Sequence, residues 1–165
     1  MSLPQEIRRM WESLEGRGIL GQRVERVATA LPGAAARFNL FLITGGEVLL
    51  TTLYGVCTVG ETGGAITMLC DATPTVGTGP SLMSTASAIN GCAIGDMVVP
   101  QGNIANPAIP AAGISGCGAT MWMPFLCKVG SIGNTLSAVT ADSSWRWVLC
   151  YIPLTEGALI QPTYV

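Results

Sequence analysis

The spacing of apolar residues changes character at about residue 21. Before it, Leu3, Ile7, Met10 and Leu14 recur at intervals of four, three and four, the a/d seam of a coiled coil over about two heptads. Ser2 and Gln5 stand at capping-box spacing, and Pro4 is tolerated in a first turn. Gly16 and Gly18 end the pattern, so a short helix is predicted over 2–15. Trp11 flanks the apolar stripe, and Arg8, Arg9, Glu12 and Glu15 occupy the other faces. A helix this short is marginal alone because nucleation is costly. Leu3, Ile7, Met10, Trp11 and Leu14 therefore need a partner surface, either the chain's own body or a neighbouring chain, and are the candidate protein-interaction residues.

After Gly21 the period falls to two. Strands are expected at Arg23–Leu31, closed by Pro32-Gly33, and at Arg37–Thr44, with Phe38, Leu40 and Leu42 on one face. Gly45-Gly46 turns the chain into Val48–Val59, rich in Thr, Val, Leu and Tyr. Gly63-Gly64 leads into Ala65–Asp71, residues 72–81 form a Pro/Gly/Thr loop, and Asn90-Gly91 is the strongest short hairpin signal. Residues 100–118 are an irregular excursion, and 119–129 are apolar. Ser144–Pro153 alternates plainly, with Trp145, Trp147, Leu149 and Tyr151 on one face. Many short strands, frequent turns and no second helical pattern predict an all-β fold, an antiparallel β-sandwich or jelly-roll-like barrel of roughly eight strands. The organisation expected is an N-terminal helical arm, 1–21, and a β-sandwich body, 22–165.

Composition sharpens this picture. Apolar residues make up 49% of the 165 residues and charged residues only 11%, less than half the usual ~25%. Residues 1–37 carry ten charged side chains and the rest of the chain carries eight, with Lys128 the single lysine. A body so poor in charge fits burial in an assembly. The net charge of -2 offers no electrostatic grip on nucleic acid or an anionic membrane. The most apolar stretch, 38–59, is interrupted by Gly45-Gly46-Glu47, which favours two strands and a turn over a spanning helix. Glu6, Arg8 and Arg9 fall where a signal peptide would be apolar.

The chemistry of catalysis is poorly represented. Histidine is absent, which removes Ser-His-Asp and Cys-His arrangements and most metal sites. The six cysteines, at 57, 70, 92, 117, 127 and 150, form no C-x-x-C pair and read as small buried hydrophobes with free thiols. No phosphate-binding loop or nucleophile elbow occurs; Gly113-Ile-Ser115-Gly reads as a loop. No catalytic, cofactor or metal residue is assigned. A carboxylate pair assembled by the fold, or a sugar platform of Trp145, Trp147 and Tyr151, is the enzymatic or carbohydrate-binding alternative.

Three segments resemble a family of small virion proteins, the capsid decoration (cement) proteins of tailed bacteriophages. They are Phe41-Leu-Ile-Thr-Gly-Gly-Glu-Val48 with Tyr54-Gly-Val, then Ile89-Asn-Gly, and Trp145-Arg-Trp-Val-Leu-Cys-Tyr-Ile-Pro-Leu154 followed by Gly157-Ala158. The resemblance implies a β-sandwich or jelly-roll-like body, assembly as a homotrimer, and attachment to the major capsid protein on the outer surface of the virion. It also implies synthesis in the host cytoplasm, and brings no catalytic residue. The charged N-terminal helix is not part of the family pattern. Other virion parts, such as a head-fibre base, tail or baseplate protein, are the alternative reading.

Overall fold

A computed structural model describes residues 21–32, 35–62, 64–77, 80–100, 109–111, 124–137 and 142–164. The expected helix, with Leu3, Ile7, Met10, Trp11 and Leu14, lies outside the described residues. The described residues contain only strands and turns.

The strands are β1 (Gln22–Ala30), β2 (Arg37–Thr44), β3 (Val48–Val59), β4 (Thr67–Pro74), β5 (Ser81–Leu82), β6 (Ser87–Ala88), β7 (Met97–Val99), β8 (Ile109–Ala111), β9 (Phe125–Cys127), β10 (Gly130–Leu136), β11 (Ser144–Pro153) and β12 (Leu159–Pro162). They form two sheets, all of whose pairings are antiparallel. One runs β1-β11-β3-β7-β8, with β9 beside β3; the other runs β12-β2-β10-β4-β5, with β6 beside β4. The pairing is nested. β1 pairs with β11, β2 with β10, β3 with β7, and β4 with β5 and β6. The first four strands thus meet later strands in reverse order, as one long hairpin rolled across two sheets. That is the jelly-roll order, with β12 added outside β2.

The core lies between the sheets. Trp145, Trp147, Leu149 and Tyr151 of β11 face inward as the alternation predicted, and all four are fully buried. They meet Leu40, Phe41, Ile43, Met68, Cys70 and Ile132 of the opposite sheet in one cluster. Gly55 makes room for this layer, because a Cβ there would stand 2.8 Å from the Trp147 ring. The Tyr151 hydroxyl donates to Gln22 Oε1 at 2.6 Å and accepts from the Ile160 N–H at 3.3 Å, joining the two sheets at one edge.

Three expectations are corrected. Phe38, Leu40 and Leu42 do not share a face. The β2–β10 register jumps from Phe41↔Ile132 to Asn39↔Gly133, a bulge that leaves Leu40 unpaired. Leu40, Phe41 and Ile43 are consequently all buried, while Leu42 is exposed. Asn90-Gly91 turns with Gly91 at φ 76°, but forms no hairpin. The strand before it pairs with β4 and the strand after it with β3, so the turn carries the chain between sheets. Lastly, β7, β10 and β12 occupy segments where no strand was expected, β8 lies within the 100–118 excursion, and β4 runs on through 72–74 of the expected loop.

Candidate assembly surface

The sandwich has two ends. At one, the turn 45–47, the loop 75–77, the β9–β10 link at 128–129 and the segment 154–157 come together. Their backbones are tied to one another. Leu154 N–H donates to the Glu47 carbonyl at 3.0 Å, and Glu47 N–H to Thr155 Oγ1 at 3.2 Å. Thr75 donates to the Val129 carbonyl through both N–H, at 2.9 Å, and hydroxyl, at 3.0 Å. Gly45, at φ 75°, lies so close to the Gly157 carbonyl that a Cβ would collide with it. These links pair the backbone groups of the four segments with one another.

This anchored end presents apolar side chains to solvent. Val76 is 84% exposed, Leu126 53%, Leu154 52% and Val129 40%. On the outer face of the first sheet, Leu126 is in register with Leu49, which pairs with Ile152. The row runs into the same end. On the outer face of the second sheet, Leu42 and Leu159 are also exposed nearby. Four of the eleven exposed large hydrophobic residues described, Val76, Leu126, Val129 and Leu154, gather at this end, and Ile152, Leu42 and Leu159 stand on the two outer sheet faces that lead to it. A depression of about 520 Å³ lies among Gly46, Val76, Val129 and Thr155, with Glu47 and Lys128 beside it. It adjoins a cleft of about 270 Å³ that reaches between β4 and β9 to Phe125 and the buried Cys127.

The opposite end exposes Ile94 and Val59, but its carboxylates are bonded internally. Ser143 Oγ donates to Glu61 Oε2 at 2.8 Å and accepts from Trp145 Nε1 at 2.9 Å. Asp142 accepts from the Thr62 hydroxyl and from the Thr62 N–H at 3.0 Å. Those bonds, with a further one from Glu61, hold the Asp142 carboxyl down to about 2. Asp96 accepts from Ala93 N–H at 2.8 Å. On the outer face of the second sheet, Arg37 crosses Gly133 to reach Asp71, Nε to Oδ1 at 2.7 Å. Thr73 and Thr135 also donate to Asp71, each at 3.3 Å. These carboxylates are engaged in holding loops and strands in place.

Cys57, Cys70, Cys92, Cys127 and Cys150 are free thiols, and Cys117 lies outside the described residues. Burial raises every one of the five, Cys92 to about 11 and Cys127 to about 12. Among the described residues, no group of three His, Cys, Asp or Glu is placed to hold a metal ion, and no helix is long and apolar enough to cross a membrane. Trp145, Trp147 and Tyr151 are core residues and offer no stacking surface to a sugar.

The interaction residues read from the sequence lie outside the described residues, and the patch built here was missed. Val76, alone among Thr, Pro and Gly in a loop, was the one legible signal. No family model matches the chain, no curated protein matches it, and no solved structure matches it at a significant level.

Proposed function

We propose that this chain is a capsid decoration (cement) subunit of a tailed bacteriophage, a non-enzymatic protein that binds the outside of the phage head and stabilises the shell of major capsid protein. The observation that carries this reading is the apolar patch at the anchored end of the sandwich, centred on Val76, Leu126, Val129 and Leu154. Exposed apolar surface of this kind, held on a hydrogen-bonded frame, is what a protein interface needs. The scarcity of charge over the body supports the same reading. The jelly-roll order is common among virion proteins, although fold alone does not assign function. The sequence resemblance supplies the shell as partner and three as the number of copies in the oligomer.

In this reading the apolar end sits on the shell. The N-terminal segment, residues 1–20, is a docking arm whose stripe of Leu3, Ile7, Met10 and Leu14, with Trp11 beside it, grips a neighbouring copy or the shell. Each large side chain buried there contributes about 1.5–3 kcal/mol before ordering costs.

The test uses shells stripped of the protein and the double variant Leu126→Glu, Val129→Glu. Both positions are exposed, so the far-ultraviolet spectrum should match the wild type. Binding to shells should fall at least about tenfold, the effect of losing ~1.4 kcal/mol. Wild-type binding by the folded variant would remove the apolar end from the interface. Deleting residues 1–20 should leave a folded body that no longer binds. An unfolded product would instead make the segment part of the core.

A further inference from the structure

A second feature lies at the other half of the molecule, where β12 stops short. This strand covers β2 only from Thr44 to Phe41. Thr163 then caps the edge, its N–H donating to the Leu40 carbonyl at 2.9 Å and its hydroxyl to the Asn39 carbonyl at 2.7 Å. Beyond that point a cleft of about 390 Å³ opens between β1 and β2. Thr29, Pro32, Ala36 and Phe38 line its walls, and Arg26 lies in it.

Arg26 is an unusual residue for such a place. It shares the inner face of the sheet with Trp147, its cross-strand partner, and is 3% exposed. Its Nε donates to the Thr163 carbonyl at 2.8 Å. A guanidinium has five N–H donors, and that bond uses one. Among the described residues, no carboxylate lies within ion-pair distance of it. The other arginine of the cleft, Arg37, is committed to Asp71. Arginine keeps its charge even where burial opposes it, as it does here. A buried cation with four of its five donors free among the described residues is matched by an anion.

We propose that this cleft is a carboxylate-binding site, in which the Arg26 guanidinium receives the acidic side chain of a partner polypeptide. One uncommitted cation matches a single negative charge, and a planar guanidinium matches a carboxylate in a two-pronged bond. The walls of Pro32, Ala36 and Phe38 suit the aliphatic stem of a glutamate and disfavour a strongly hydrated phosphate. The rim is anchored, since the Ala36 carbonyl accepts from Leu136 N–H at 3.1 Å. The site is separate from the apolar end and stands whether or not the chain is a capsid subunit.

The experiment follows the Arg26 Nε–H resonance of the isotope-labelled full chain during titration with acetyl-Gly-Glu-Gly-amide, its glutamine counterpart and inorganic phosphate. The glutamate peptide should shift the resonance saturably below about 10 mM, and the other two should not. Arg26→Met should abolish binding of the peptide. Ala36→Glu, at an exposed rim position, should place the chain's own carboxylate over the guanidinium and weaken the peptide at least about tenfold. This second variant keeps the test independent of whether Arg26→Met folds. The proposal is overturned by no saturable shift with the glutamate peptide, or by an equal response to phosphate. It is also overturned if the shift emerges only after the chain's own terminal carboxylate is amidated.

Discussion

Replacing Gly133 by alanine tests the packing of the second sheet at its most crowded point. A Cβ at 133 would stand 2.6 Å from the Phe38 carbonyl oxygen and 2.9 Å from Arg37 Cζ. Ordinary contacts begin near 3.4 Å, so something must yield. If the β2–β10 ladder opens, the cost is that of overpacking, about 1–3 kcal/mol. If Arg37 is displaced instead, Asp71, 1% exposed, loses its ionic partner. Breaking a fully buried pair costs about 3–5 kcal/mol. The figure here belongs at or below the lower end, since the Arg37 side chain is 26% exposed and Thr73 and Thr135 still donate to Asp71. Alanine also restricts the unfolded chain, which returns about 0.4–1 kcal/mol. The expected net loss is about 0.5–2.5 kcal/mol, or roughly 1–10 °C in Tm at ~2–4 °C per kcal/mol. Urea unfolding and calorimetry measure it, and a cycle with Arg37→Ala identifies the yielding group. Coupling above about 1 kcal/mol assigns the strain to the guanidinium, and additivity assigns it to the Phe38 carbonyl. A Gly133→Ala protein within about 0.5 kcal/mol of wild type would refute the crossing of Arg37 over β10.

Three more outcomes are expected. Asn134 is fully buried, donates to Met68 Sδ at 3.2 Å, and its Oδ1 has no hydrogen-bond partner among the described residues, so Asn134→Leu should stabilise the fold by about 1–2 kcal/mol in urea unfolding; a loss above about 1 kcal/mol would mean that the amide has an internal partner. Asp142 is held below its ordinary 3.8, at about 2, so its stabilising contribution is complete above pH 3.8 and lost as the pH falls through 2; the stability difference between wild type and Asp142→Asn should shrink over that window, and a constant difference would contradict the Thr62 bonds. Because burial raises all five described thiols, native alkylation at pH 8 should be slow at each of them, with the half-buried Cys92 reacting first among the five; peptide mapping that finds Cys70 or Cys127 modified first would contradict their burial.

The sequence showed most clearly those strands whose side chains state their own period. Trp145, Trp147, Leu149 and Tyr151 alternate because one face is core, and the register of β11 follows directly. Gly45-Gly46 marked its turn for the same local reason, since only glycine fits against Gly157. β10 was hidden because its sequence, GSIGNTL, reads as a turn. Its two glycines are there to admit neighbours: Gly133 for Arg37 and the Phe38 carbonyl, and Gly130 for the Thr73 carbonyl. That requirement belongs to tertiary packing, and no local propensity encodes it. The bulge at Leu40 was invisible for a similar reason, being set by pairing with β10. The apolar end was illegible as a site because its members come from segments as distant as Val76 and Leu154, each of which alone is an ordinary surface residue. The Arg26 cleft depended on where β12 ends, and that strand was itself unrecognised.

The claim that this chain is a shell-binding subunit is tested most directly by a density map of the intact particle made by the genome that encodes it. The expected map shows the jelly-roll on the outer surface of the head, repeated in fixed ratio to the major capsid protein. In it the end bearing Val76, Leu126, Val129 and Leu154 faces the shell. A map that places the sandwich only at the tail, in few copies, or leaves that end open to solvent on every copy, would contradict the account.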